Sequence, residues 1–200
     1  MKSFVTKPFI LASQSPRRKQ LLEWACADFA VMVSDVEEHF DPASETSAVA
    51  IDIASRKANA VWDKTDKSKP VVAADTIVVC EKEIIGKPVN REDAIRILSK
   101  LSSKSHQVIT GVAIRSVTGS IDFYDQTFVH FHELSEAQIE FYVDQFKPYD
   151  KAGAYAIQEW IGVAGIRSIE GDFYNVMGLP VSRVLQALKD LGYCIFPFGV

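Results

Sequence analysis

Three cations stand in a row where a helix should begin. In the stretch Phe9-Ile10-Leu11-Ala12-Ser13-Gln14-Ser15-Pro16-Arg17-Arg18-Lys19, four mostly apolar residues read as a strand and a polar break follows. Ser15 stands where an N-cap would stand, with Pro16 at the first helical position, where a missing N–H costs nothing. Leu21, Leu22 and Ala25 supply the apolar face. Arg17, Arg18 and Lys19 crowd the first turn, at the positive end of the helix dipole, where each cation is disfavoured by roughly 0.3–1 kcal/mol. Backbone N–H groups and clustered cations at one helix start suit an anion, above all a phosphate chain. A solvated basic turn is the competing reading, and the local sequence does not choose between them.

Two further residues raise a chemical question. Pro70 to Cys80 is a nearly continuous apolar run, as expected of a strand covered on both faces, and Asp75 sits at its centre. A carboxylate there must be paired, metal-bound or protonated, so Asp75 is a candidate site residue as well as a structural one. Lys57 poses the same problem on a helix. At about 100° per residue, Val49, Ala50, Ile53, Ala54, Ala60 and Val61 fall on one arc, with Lys57 near its middle. Either the lysine snorkels out from an apolar face or that face borders a cleft into which it points. His130 and His132 share a strand face, as two metal ligands would. No third ligand stands at telling spacing, and cross-strand packing is the preferred reading.

Several chemistries drop out. There is no G-x-x-x-x-G-K-[ST] loop, no G-x-S-x-G and no H-E-x-x-H. Asp75-Thr76 suits an aspartyl-phosphate intermediate poorly, because that chemistry wants another Asp two residues earlier, where Ala73 stands. Direct attack by water on a phosphorus remains. It needs cations to spread the developing charge, a divalent metal and a base to orient the water. The residues already singled out offer Arg17, Arg18 and Lys57 as cations and Asp75 as a carboxylate.

These residues must be positioned by a chain of 200 residues, 48% of them hydrophobic. That length suits one domain, spanning residues 1–200, or two closely packed lobes. A net charge of −4 argues against non-specific nucleic-acid binding, so a phosphate ligand would be held by a local basic cluster. Cys26, Cys80 and Cys194 are too few and too scattered for a disulfide framework or a zinc site, and a reducing cytoplasm fits. The first eight residues are too short and polar for a signal peptide, and no apolar run reaches membrane-spanning length, so no membrane partner is expected.

Periodicity and caps place the elements. A second strand is expected from Phe29 to Val33, followed by a polar loop through Glu38, and a helix from about Thr46 to Trp62. After the apolar run through Asp75 come Glu81-Lys82-Glu83 as a turn and Gly86-Lys87-Pro88. Asn90 caps a helix with Asp93 at the fourth capping-box position. Gln107–Val117 and Ile121–Phe131 read as a hairpin joined at Thr118-Gly119-Ser120. Ser135 and Gln138 form a second capping box, with Leu134 able to staple onto Ile139 and the helix ending near Gln145. Tyr149 to Asn175 is glycine-rich and reads only as loops and short strands. Pro180 opens a last amphipathic helix, closed by Gly192. The order is mixed α/β. A long mixed sheet flanked by helices is expected, forming two lobes with the site between them.

Leu11-Ala12-Ser13-Gln14-Ser15-Pro16-Arg17-Arg18 resembles the opening motif of the Maf family of nucleoside triphosphate pyrophosphatases, once described as septum-formation inhibitors. Ala73-Ala74-Asp75-Thr76, Gly86-Lys87-Pro88, Lys151-Ala152-Gly153-Ala154-Tyr155-Ala156-Ile157-Gln158 and Ile169-Glu170-Gly171-Asp172-Phe173-Tyr174-Asn175-Val176-Met177-Gly178-Leu179-Pro180 agree with it in order. The resemblance implies an elongated α/β fold with a deep cleft, of the Maf and inosine triphosphatase-like kind. It implies that Asp75 takes the proton from water attacking the α-phosphorus, yielding a nucleoside monophosphate and pyrophosphate. Ser13, Arg18, Lys57 and Lys87 would hold the phosphates. Glu38, with or without Asp75, would hold Mg²⁺ or Mn²⁺ through oxygen ligands, and whether Asp75 is base or metal ligand stays open. Thr76 and Gln158 resemble the branch acting on dTTP and UTP, in which they and Arg17 set specificity. A Gln amide, both donor and acceptor, suits the O4 and N3–H edge of uracil or thymine. Glu159-Trp160 stands where many family members have glycine. The implied partner is the nucleoside triphosphate, and a homodimer is compatible with the family. A non-catalytic nucleotide-binding regulator of septum formation is the competing function.

Overall fold

A computed structural model describes residues 8–36, 39 and 44–193, so Glu38 and Cys194 lie outside the described residues. The elements run β1 (Phe9–Leu11), α1 (Pro16–Trp24), β2 (Phe29–Val31), α2 (Thr46–Trp62), β3 (Val71–Cys80), β4 (Glu83–Ile85), α3 (Arg91–Leu101), β5 (Ser105–Ser116), β6 (Gly119–Phe131) and α4 (Glu136–Phe146). A 3-10 turn at Ala152–Ala154 follows, then α5 (Trp160–Ala164), β7 (Ile166–Glu170), α6 (Phe173–Met177) and α7 (Val181–Asp190). The strands form one mixed sheet in the order β2-β1-β3-β5-β6-β7, with β4 paired to β3. β1 is parallel to β2 and to β3, pairings that demand crossovers, and α1 and α2 supply them. β4 and β7 add antiparallel to β3 and β6. The expected α/β sheet flanked by helices is the observed architecture. No helix among the described residues is long and apolar enough to cross a membrane.

The chain folds as two compact units. One comprises Met1–Asp75, Thr110–Asp125 and Gly178–Val200, the other Thr76–Ile109 and Gln126–Met177.

In the first unit, β5 acts as a seat for α2. Gly111, Ala113 and Arg115 alternate along the strand and so share a face. A Cβ on Gly111 would lie 2.2 Å from the carbonyl carbon of Ala50 and 2.3 Å from its oxygen, so the helix backbone rests directly on the strand. Ala113 belongs to a buried cluster with Ala54, Ala58, Val61, Ala12, Val71 and Ala73, whose small side chains permit that approach. Arg115 donates from Nε to Asn59 Oδ1 at 2.6 Å and from Nη2 to Ser55 Oγ at 2.6 Å, and pairs with Asp122 of β6. Two strand residues advance about 6.7 Å and four helical residues about 6 Å, so the two elements stay in step.

In the second unit, the rings of His106, Phe131 and Tyr155 meet edge to face, with centroids 5.1–5.4 Å apart. The buried Asn175 amide donates to the Val108 carbonyl and to Thr127 Oγ1, both at 3.0 Å. Ser135 and Gln138 form the expected capping box. Asn90 accepts from Asp93 N at 2.8 Å, but the Asp93 carboxylate takes the Val89 N–H instead of returning to Asn90. The glycine-rich stretch holds two five-residue helices, α5 and α6, each too short to show a periodicity. β2 stops at Val31, two residues before its expected end.

Candidate functional site

The first unit collects most of the candidate chemistry. Leu11 stands opposite Val72, and Ala12 N–H donates to the Val72 carbonyl at 2.8 Å. The chain therefore leaves the sheet for α1 beside the part of β3 that carries Asp75, three residues further on. Ser13 is buried, and its Oγ accepts from Ser15 N at 3.1 Å. Ser15 in turn caps α1, accepting from Arg18 N at 3.4 Å, with Pro16 at the first helical position as expected.

Arg18 is buried, against the usual habit of a first-turn arginine. Its Nε donates to the Gly178 carbonyl at 2.7 Å and its Nη1 to Ser13 Oγ at 3.3 Å. The carbonyl offsets part of what the helix dipole costs this cation and fixes the guanidinium plane. Gly178 lies 160 residues away in sequence and was invisible as a partner of Arg18. In the structure its φ is +117°, a backbone conformation that favours glycine. Arg17 is half-buried and Lys19 exposed, the latter paired with Glu23 at 3.5 Å.

Lys57 does not snorkel. Its Nζ lies 2.7 Å from Asp75 Oδ1, and the two side chains are 12% and 10% exposed. The interior carboxylate and the lysine on an apolar helix face, each anomalous alone, answer one another. Pairing was one of the three states open to Asp75, and it is the one observed. A carboxylate and an ammonium so placed offer a proton acceptor and a charge for a phosphate oxygen within one pair.

Lys87, Thr76 and Gln158 belong to the second unit. Lys87 is exposed, and Gly86 before it accepts from Gly153 N at 3.1 Å. Thr76, next to Asp75 on β3, is half-buried. Gln158 is the first exposed residue after a buried run from Gly153 to Ile157. His130 Nδ1 meets Ser105 Oγ, and its Nε2 lies 3.2 Å from Glu170 Oε1. Among the described residues no three His, Cys, Asp or Glu side chains cluster as metal ligands.

The Maf-like protein family model matches residues 8–191. A dTTP/UTP pyrophosphatase of Cytophaga hutchinsonii is 48% identical over 183 residues, covering 91% of this chain and 83% of its own. Relatives of the same name from Bacillus cereus and Parabacteroides distasonis are 45% and 44% identical, covering 92% and 90% of this chain and 95% and 94% of theirs. A nucleoside-triphosphatase / dITP/XTP pyrophosphatase structure from Mycobacterium abscessus superposes on 62% of this chain and 72% of its own, at 16% identity and a TM-score of 0.38. The motifs shared in order, and the match across nearly the whole length, place this chain in the Maf-like protein family.

Proposed function

We propose that this protein hydrolyses dTTP and UTP to the nucleoside monophosphate and pyrophosphate. The buried Lys57–Asp75 pair carries the reading, supported by relatives named dTTP/UTP pyrophosphatase at 44–48% identity. Lys57 engages one oxygen of Asp75 and holds the carboxylate in a fixed orientation, so that its other oxygen takes the proton of the attacking water. Ser13 Oγ and the Arg18 guanidinium, held by Gly178, contact phosphate oxygens at the start of α1. Lys57 and Lys87 add charge along the same triphosphate. Arg17, Thr76 and Gln158 select the base, the Gln158 amide matching the O4 and N3–H edge of the pyrimidine.

The donor chemistry suits a hard divalent cation, Mg²⁺ or Mn²⁺. Mg²⁺ commonly takes one or two carboxylates and completes its shell with water and substrate phosphates. Glu38 is proposed to supply a carboxylate to it, with or without Asp75, whose assigned role here is that of the base. When bound, the cation neutralises charge on the phosphate oxygens. A cytoplasmic setting belongs to the same reading, consistent with the free thiols of Cys26 and Cys80.

The test is pyrophosphate release from dTTP, UTP and the remaining triphosphates with Mg²⁺ or Mn²⁺. Turnover of dTTP and UTP is expected, with Asp75→Asn reduced at least 10³-fold (an order-of-magnitude expectation for loss of a general base). Tight nucleotide binding without turnover would instead leave the regulator reading.

A further inference from the structure

The side chain of Glu159 is held from two sides. Its Oε2 accepts from the hydroxyl of Tyr142, a fully buried residue of α4. The same hydroxyl oxygen accepts from Ala156 N at 3.1 Å. Glu159 Oε1 lies 3.8 Å from Lys151 Nζ, and that lysine, itself buried, also meets Asp150 at 2.6 Å. Glu159 N–H donates back to the Ala156 carbonyl at 3.1 Å.

One phenol and one carboxylate thus tie both ends of the short loop that carries Gln158. The loop is also packed from below. A Cβ on Gly162 would sit 1.6 Å from the Ile157 oxygen, so α5 presses on the backbone just before Gln158. Tyr155 is tethered through its hydroxyl to His106 Nε2 at 2.7 Å. Trp160 leans edge-on against Phe141 of α4, centroids 5.1 Å apart. Gln158 is left as the exposed residue of a loop that has little freedom to move.

We infer that Glu159 is a positioning residue. Acting through Tyr142 and Lys151, it fixes the backbone on either side of Gln158 and presets the amide that reads the pyrimidine edge. The inference rests on the base-reading role of Gln158. A preset amide loses less conformational freedom when the base arrives, so its effect falls on KM and on base discrimination rather than on kcat.

Glu159→Ala, Glu159→Gln and Gln158→Ala are compared with the unaltered protein by steady-state kinetics on dTTP, UTP and dCTP, with thermal unfolding alongside. Glu159→Ala is expected to raise KM for dTTP and UTP about tenfold and to shrink their advantage over dCTP comparably, with kcat within about twofold. Glu159→Gln keeps an acceptor for Tyr142 and is expected to recover most of the discrimination. Unchanged discrimination in Glu159→Ala, or a uniform loss on all three nucleotides that merely follows a lower Tm, overturns the proposal. Gln158→Ala separates the two layers. If it abolishes discrimination while Glu159→Ala does not, the positioning role alone falls; if it leaves discrimination intact, the base-reading role falls and takes this proposal with it.

Discussion

At 2.7 Å, the Lys57 ammonium and the Asp75 carboxylate compensate one another for leaving water. Removing one partner strands the other in a mostly buried place, whereas removing both takes the desolvation cost away with the attraction. Lys57→Met is therefore expected to destabilise the fold by about 3 kcal/mol and to abolish pyrophosphate release. The double variant Lys57→Met/Asp75→Asn should regain much of that stability and stay inactive. Urea unfolding and pyrophosphate release read the two effects separately. A Lys57→Met protein with near-normal turnover would remove the pair from the proposed chemistry.

The helix α2 carries Lys57, and its placement depends on β5. Lys57 faces Asp75 because Gly111 lets the backbone of Ala50 rest on the strand and Arg115 holds Ser55 and Asn59. A methyl group on Gly111 would meet backbone atoms, which cannot swing aside as a side chain can. Gly111→Ala is expected to cost roughly 3 kcal/mol by overpacking and to weaken catalysis further by displacing Lys57. The check is the urea midpoint together with the Lys57-dependent rate. A glycine in mid-strand reads in sequence only as a weak spot or a bulge; the partner it admits is seen only in the fold.

At the scale of the whole molecule, His106 gives the stability a pH dependence. Its imidazole is buried, and burial first, with neighbouring His130 second, pushes its pKa down to about 4. An unfolded histidine titrates near 6.5. Between those values the unfolded chain takes up a proton that the native protein refuses, so stability is complete above about pH 6.5 and falls as the pH drops toward 4. A loss of about 2 kcal/mol between pH 7 and pH 5 is expected from this one group. Urea titrations at the two pH values measure it, and His106→Phe should flatten that part of the dependence. A slope unchanged by the substitution would assign the effect to other groups.

The one-dimensional pattern determined a good deal. Caps and helical periodicity predict α2 over its observed span, place Ser15 and Pro16 at the start of α1, and mark the Ser135–Gln138 box, because these signals act within four residues. Burial contrast marked Asp75 and Lys57 as anomalies, since an ionisable group in an apolar pattern needs an explanation wherever the chain runs. The glycine-rich stretch from Tyr149 stayed opaque, because five-residue helices are held by packing rather than by periodicity. Only the tertiary structure decided that Lys57 answers Asp75, that the Gly178 carbonyl holds Arg18, and that Glu159 leans on Tyr142. Each of those contacts joins residues on different elements, and a hydrogen bond leaves no trace in sequence until folding brings its two ends within about 3 Å.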